Sequence, residues 1–269
     1  MKVSLILASF FRANLLNLGL WSLSKQKIHC DLEIIVLNDG IEDNTEQVCN
    51  NYKDKLNIHY FFTGQRNAFN KIITPRIPGF AQNIGVKQSS GDIIILSSPE
   101  IFHLNNSIDL IVNPLLEDKE LLTTPSIMYF DDNSEALNYL LDKPTLNLPQ
   151  KLLNKLQENS ECHQMVKMPF FMGIWKEKFM EIGGYDEDLV GYACDDNDLI
   201  SRLLCTTETR KGMKYYYTNS QIIHLFHGRR CDSSSHYQIP EWKYNYDLFQ
   251  VRKGQIIRNQ NKEWGKIDG

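Results

Sequence analysis

A chain of 269 residues with 42% hydrophobic side chains is long enough for one large domain with a real core, or for a domain with an appendage. Its 29 basic and 33 acidic residues leave a net charge of −4, so no basic excess points to nucleic acid and no acidic tail is visible. No run approaches the ~20 apolar residues of a membrane span.

In chain order, residues 3–9 form an apolar strand, too short for the apolar stretch of a leader peptide. From Arg12 the pattern turns helical, with Leu16, Leu20 and Leu23 on one face. Residues 32–37 are a second strand ending in Asn38-Asp39-Gly40. A polar helical segment follows at 44–54, then a third strand at 56–62. Strands separated by helix-length segments imply βαβ units and a parallel sheet. After an irregular loop at 64–77, a helix is predicted over 79–88. Residues 92–96 are the most apolar strand, as a strand buried on both faces should be. Pro99 cannot continue a ladder, so the sheet is expected to stop there, with Glu100 just beyond the strand's carboxyl end. Ligands of open α/β sheets bind beyond such ends, where Asp39 also stands.

A helix starts at Ser107 and a strand-like segment covers 121–129. Residues 131–160 are polar and read as a surface insertion with one short helix near 149–158. Residues 170–175 are a strand, followed by a short helix to Ile182. Residues 214–217 and 221–223 are two late strands, and 239–269 are mostly polar and helical, with Trp242, Tyr246 and Phe249 at helical spacing. The six cysteines are scattered without a C-x-x-C pair, which argues against a zinc knot or redox motif and points to a reducing, cytoplasmic setting.

The segment from Gly183 to Leu204 organises the rest. A glycine pair ends one helix, a short acidic loop follows, and Asp195 and Asp196 open another helix. Free N–H groups at that helix start are expected to favour ionised carboxylates, which then either cap the helix or serve as a general base. Asp198 and Arg202, four apart, are expected to pair on the surface.

These motifs resemble, over roughly residues 2–230, the inverting GT-A glycosyltransferases of family 2, with a second half similar to the galactosyltransferase-type C-terminal module. Leu37-Asn38-Asp39-Gly40 resembles the family's second-strand end. Gln82-Asn83-Ile84-Gly85 with Ser90-Gly91-Asp92 resembles its R-N-x-G…G-[ED] segment. Gly183-Gly184-Tyr185-Asp186-Glu187, Gly191-Tyr192 and Asp195-Asp196-Asn197-Asp198 are similar to its G-G-[FY]-D-E…[ED]-D-x-D segment. The family's D-x-D falls on Ser98-Pro99-Glu100, which keeps only the last carboxylate, and its usual arginine is replaced by Gln82.

The resemblance implies a single α/β domain of GT-A (Rossmann-like) type, its mostly parallel central sheet flanked by helices. Residues 1–104 would be the nucleotide-binding half and 105–230 the acceptor-binding half, with 231–269 a helical tail or lid. It implies a hexosyltransferase acting on a nucleotide sugar, of uridine type, and on a glycan or glycoconjugate hydroxyl. Asp196 would be the general base, with Asp195 and Tyr192 on the acceptor. Ala8, Ser9, Phe10, Arg12, Asp39, Asn83, Ser98 and Arg229 would hold the nucleotide, and Met172 and Gly173 would border the sugar. Glu100 with His224 or His227 would bind Mn²⁺ or Mg²⁺ against the diphosphate. Several of these residues also have purely structural explanations. Asp39 suits a turn before Gly40, Glu100 a solvated strand end, and Arg229-Arg230 a solvated pair. The alternative function is a binding module for nucleotide sugars or glycans that lacks catalysis.

Overall fold

The computed structural model describes residues 1–64, 77–159, 168–191, 193–228 and 240–267. Eight strands and nine helices are found among them: β1 (Lys2–Ser9), α1 (Ala13–Leu23), β2 (Asp31–Asn38), α2 (Thr45–Asn50), β3 (Ile58–Phe62), α3 (Pro78–Gln88), β4 (Ile93–Ser97), β5 (Ile101–His103), α4 (Ser107–Glu117), β6 (Leu121–Phe130), α5 (Glu135–Asp142), α6 (Gln150–Asn159), β7 (Phe171–Trp175), α7 (Lys176–Glu181), α8 (Asp195–Leu204), β8 (Lys214–His224) and α9 (Pro240–Val251). The strands form one sheet in the order β3-β2-β1-β4-β7-β6-β8-β5. Its first four strands run parallel, β7 is antiparallel to both neighbours, and β6 and β8 are parallel.

Successive side chains of a strand face opposite sides, so a strand buried on both faces must be apolar throughout. In β4, Ile93 and Ile95 join Leu16, Leu20 and Ile111 on the side of α1 and α4. Ile94 and Leu96 join Ile84, Phe179 and Leu199 on the side of α3, α7 and α8. The result is a sheet between two helical layers, as expected from the sequence. Helix α3 lies close on the sheet because Gly85 has no side chain. A Cβ there would stand 2.3 Å from Ile6 Cγ2 and 2.7 Å from Leu37 Cδ2. Gly85→Ala is therefore expected to cost about 1–3 kcal/mol through overpacking. Thermal unfolding tests this, and an unchanged Tm would contradict the packing described.

Four expectations are corrected. The sheet does not end at Pro99. The chain turns and re-enters it as β5, antiparallel to β8 with Ile101 opposite His224. The two late strands are one continuous β8, paired along β6 with an irregularity between Pro125 and Ile127, where proline has no N–H to give the ladder. The polar insertion carries two helices. It is not simply superficial, since Ala136, Leu140, Leu148 and Leu156 are buried with Leu18, Phe102 and Ile223 in a third apolar cluster. Asp131 anchors it, accepting bonds from the backbone N–H of Ala136 (3.0 Å) and Leu137 (2.8 Å).

The fourth correction concerns Asp198 and Arg202, whose pair is interior, at 1% and 3% exposure. Arg202 lies 2.8 Å from Asp198 and also donates to the carbonyls of Ile182 and Gly184. Cys30, Cys49, Cys194 and Cys205 are free thiols, while Cys162 and Cys231 lie outside the described residues. Among the described residues no helix is long and apolar enough to cross a membrane.

Candidate active site

The carboxyl ends of β1, β4, β6 and β8 open onto a cleft of about 520 Å³, lined among others by Arg12, Glu100, Asp195, Asp196, His224 and His227. Residues from both halves of the chain thus face one space. Three elements build one wall. Glu100 sits in the turn between β4 and β5, and its carbonyl accepts from Leu225 N–H at 2.9 Å. His224 ends β8, directly opposite Ile101. The short strand β5 is therefore what sets Glu100 beside His224.

Glu100 Oε1 lies 3.7 Å from His224 Nε2 and 3.3 Å from His227 Nε2. Among the described residues these three form a cluster whose possible ligand atoms are all within 4.8 Å of one another. Burial raises the Glu100 carboxyl, but the His227 hydrogen bond and the charges of both imidazoles outweigh it and hold the group below the usual carboxylate range. The His224 ring is stacked on Phe130 at 5.1 Å and meets the edge of Phe170 at 5.2 Å. Arg12 Nη2 lies 3.1 Å from His227 Nδ1, which orients the other ring nitrogen toward Glu100. One carboxylate and two imidazoles form a mixed oxygen and nitrogen donor set of the kind that first-row divalent cations accept.

The start of α8 lines the same cleft. Cys194, in the left-handed region at φ 71°, turns the chain into the helix, and Asp195 and Asp196 follow. Asp195 is buried and accepts from backbone N–H groups, that of Gly79 included, yet burial dominates and raises its pKa. Asp196 is raised well above the ordinary value, first by burial and then by the neighbouring Asp195 charge. The expectation that helix N–H groups would favour the charged forms is thus reversed. Desolvation of both carboxyl groups, joined at Asp196 by the Asp195 charge, outweighs the attraction of the helix start. Tyr185 donates a hydrogen bond to Asp196 Oδ1 at 3.3 Å.

The remaining sequence candidates divide. Ala8 and Ser9 close β1 and Asp39 follows β2, one strand along the same edge of the sheet. Asp39 accepts from the Thr63 hydroxyl at 2.8 Å. The hydroxyls of Ser9 and Ser98 are buried without a hydrogen-bond partner, and Phe10 is exposed. Ser98 borders a separate small void with Leu7 and Gly19.

Three candidates belong to the interior. Asn83 is buried, bonded to the backbone of Tyr185 in both directions and to Glu187. Met172 is packed with Ile174 and Phe179, and a Cβ on Gly173 would strike Ile111 at 2.5 Å, so neither borders the cleft. Met168 and Phe170, just before β7, line it instead. Tyr192, Arg229 and Arg230, and the segment 231–239, lie outside the described residues.

The described tail does not cover the cleft, and none of residues 240–267 lines it. It straps the loop before α8. Arg252 pairs with Asp186 (2.5 Å) and Asp188 (2.6 Å), and Arg258 pairs with Asp186 (2.9 Å) and Asp198 (2.6 Å). Asn245 exchanges bonds with the backbone of Val190, and Asn259 donates to the carbonyls of Gly183 and Tyr185. Gly183, at φ 74°, is where the two segments touch, since a Cβ there would lie 2.1 Å from the Arg258 carbonyl. The one signal for this strap in the sequence is the pair of arginines at 252 and 258, in a polar tail downstream of the acidic loop at 186–188.

Comparison with known proteins agrees with this architecture. The family described as Glycosyl transferase family 2 matches residues 4–183. A Haemophilus influenzae protein described as an uncharacterized glycosyltransferase is 26% identical over 255 residues, covering 94% of this chain and 90% of that one. The solved mannosyltransferase PcManGT of Pyrobaculum calidifontis, in complex with GDP-Man and Mn²⁺, superposes at TM-score 0.57 with 12% identity, covering 94% of this chain and 65% of its own. GalNAc-T7 with UDP, GalNAc and Mn²⁺ gives TM-score 0.57 at 14% identity, covering 94% and 51%. The chain spans less than a quarter of the length of several curated relatives that it matches. With an α/β sheet of this order and a family match running from β1 to the glycine pair before α8, the chain belongs to glycosyl transferase family 2.

Proposed function

We propose that this protein transfers a hexose from a nucleotide sugar, of uridine type, to a hydroxyl of a glycan or glycoconjugate, with inversion at the anomeric carbon. The observation that carries the reading is that the Glu100–His224–His227 cluster and Asp196 line one cleft. Glu100, His224 and His227 would hold a divalent cation, and their imidazole content favours Mn²⁺ over Mg²⁺, which prefers oxygen ligands. When bound, such a cation offsets the negative charge that builds on a departing diphosphate.

The chain's own residues perform the remaining work. Asp196 takes the proton from the acceptor hydroxyl as that oxygen bonds to the anomeric carbon. The bond from that carbon to the diphosphate oxygen breaks, and its electron pair leaves with the nucleotide. A carboxylate with a raised pKa is a stronger base than an ordinary one, which suits this role. Asp195 holds a second acceptor hydroxyl, and Tyr192 stacks on the acceptor ring. Arg12 pairs with diphosphate oxygens, as does Arg229. Asp39 accepts from the uracil N–H, beside a base pocket formed by Ala8, Ser9 and Phe10. The buried, unpartnered hydroxyl of Ser9 supports a polar ligand at the end of β1.

The reading is tested by titrating UDP into the protein with Mn²⁺ and with a chelator. Wild type should bind more tightly with Mn²⁺, and Glu100→Ala should lose at least tenfold of that affinity. Equal affinity in chelator, or no effect of Glu100→Ala, would remove the cation from the account. Metal-dependent UDP binding without hydrolysis or transfer from any donor would favour the binding-module alternative.

A further inference from the structure

We propose that the Tyr185 hydroxyl is a positioning residue for Asp196, fixing one carboxylate oxygen so that the other faces the acceptor. The inference rests on Asp196 being the base. Every part of Tyr185 except its hydroxyl has a structural role. Its backbone N–H donates to Asn83 Oδ1 at 2.8 Å, and its carbonyl accepts from Asn83 (3.0 Å) and Asn259 (2.7 Å). Its ring meets Phe179 at 6.0 Å and fills the space left by Gly79, where a Cβ would lie 2.4 Å from Tyr185 Cδ1. A phenylalanine would satisfy all of these contacts. The hydroxyl adds the bond to Asp196 Oδ1 at 3.3 Å.

That bond matters because of what else faces Asp196. Asp195 lies beside it on α8, and Glu100, His224, His227 and Arg12 line the same cleft with Asp131 and Asp132. The charge that acts on Asp196 is that of Asp195, which repels it, and the phenol is a donor acting against it. Burial holds Tyr185 well above its ordinary pKa, so the phenol keeps its proton and remains a donor through the neutral range. A charged acceptor makes this bond stronger than a neutral pair would. Asp196 Oδ1 is then engaged, and the second oxygen is left to take the acceptor proton.

The test is Tyr185→Phe, compared with Asp195→Asn, by the pH profile of kcat/KM. Tyr185→Phe should lower kcat roughly tenfold, leave Mn²⁺-dependent UDP affinity unchanged, and move the acidic limb to higher pH. Asp195→Asn removes the repelling charge and should move that limb to lower pH. A Tyr185→Phe profile that coincides with wild type would overturn the proposal, whether or not Tm falls. The two readings fail separately. If Asp196→Asn still turns over, the assignment of the base is wrong. If Asp196→Asn is inactive and the Tyr185→Phe limb does not move, only the role of the phenol is wrong.

Discussion

Asp196→Asn is expected to lower kcat/KM for transfer by about 10²–10⁴-fold, the usual worth of a positioned general base, while Mn²⁺-dependent UDP binding survives. The amide keeps the shape of the side chain and removes its capacity to accept the acceptor's proton. Asp196 is not one of the three residues grouped as cation ligands, so donor affinity has no reason to change. The same substitution should raise Tm at neutral pH. Because the folded-state pKa of Asp196 is raised, the folded protein favours the protonated carboxyl. That stabilisation is complete below the unfolded-state pKa and is lost as pH rises through the folded one. Asparagine removes the neutral-pH penalty, with a gain on the order of 0.5–2 kcal/mol, the usual size of a single stabilising substitution. At acidic pH, where Asp196 is already neutral, the gain should vanish. Wild-type turnover in the variant would remove Asp196 from the chemistry.

The second large effect is expected far from the chemistry. Arg258→Met should cost about 3 kcal/mol of stability, the lower end of the range for breaking a buried ion pair, and lower Tm by roughly 6–12 °C. Arg258 is 4% exposed and contacts Asp186 and Asp198, both at 2% or less. Its removal leaves two interior carboxylates with one fewer cation. The cost stays at the lower end because Arg252 still holds Asp186 and Arg202 still holds Asp198. The exposed pair of Lys262 and Asp188 is the internal control, and Lys262→Ala should cost about 1 kcal/mol or less. Since Arg258 fixes the loop that carries Tyr185 and leads into α8, activity should be lost at a lower temperature than in wild type. A Tm unchanged from wild type would mean that the strap contributes nothing to holding the loop.

The first half of the fold was legible because its strands are buried on both faces. Residues 3–9, 32–37 and 92–96 are mostly apolar runs, and each matches a strand to within a residue or two. The glycine pair and the acidic helix start were legible for a local reason, as chain reversal and helix initiation both need particular residue types. Strand β5 was not legible, because three residues carry no periodicity and Pro99 argued for a stop. Yet that strand sets Glu100 beside His224, so the grouping of the cluster was visible only through resemblance. Met172 and Gly173 were misplaced for a related reason. Strand β7 is buried on both faces, Phe171 in one core layer and Met172 and Ile174 in the other, and the cleft takes its lining from Met168 and Phe170 just outside the strand. The strap left no local pattern, because its arginines lie 60 to 72 residues downstream of their partners.

The configuration of the product tests the account most directly. With Asp196 as base and the diphosphate held at Glu100, His224 and His227, the proposed reaction is a single in-line displacement. The anomeric proton of the glycoside formed from an α-linked UDP-hexose, observed by NMR, should therefore report a β linkage. An α-linked product would require a second displacement or attack from the diphosphate's own side, and would contradict the assignment of Asp196.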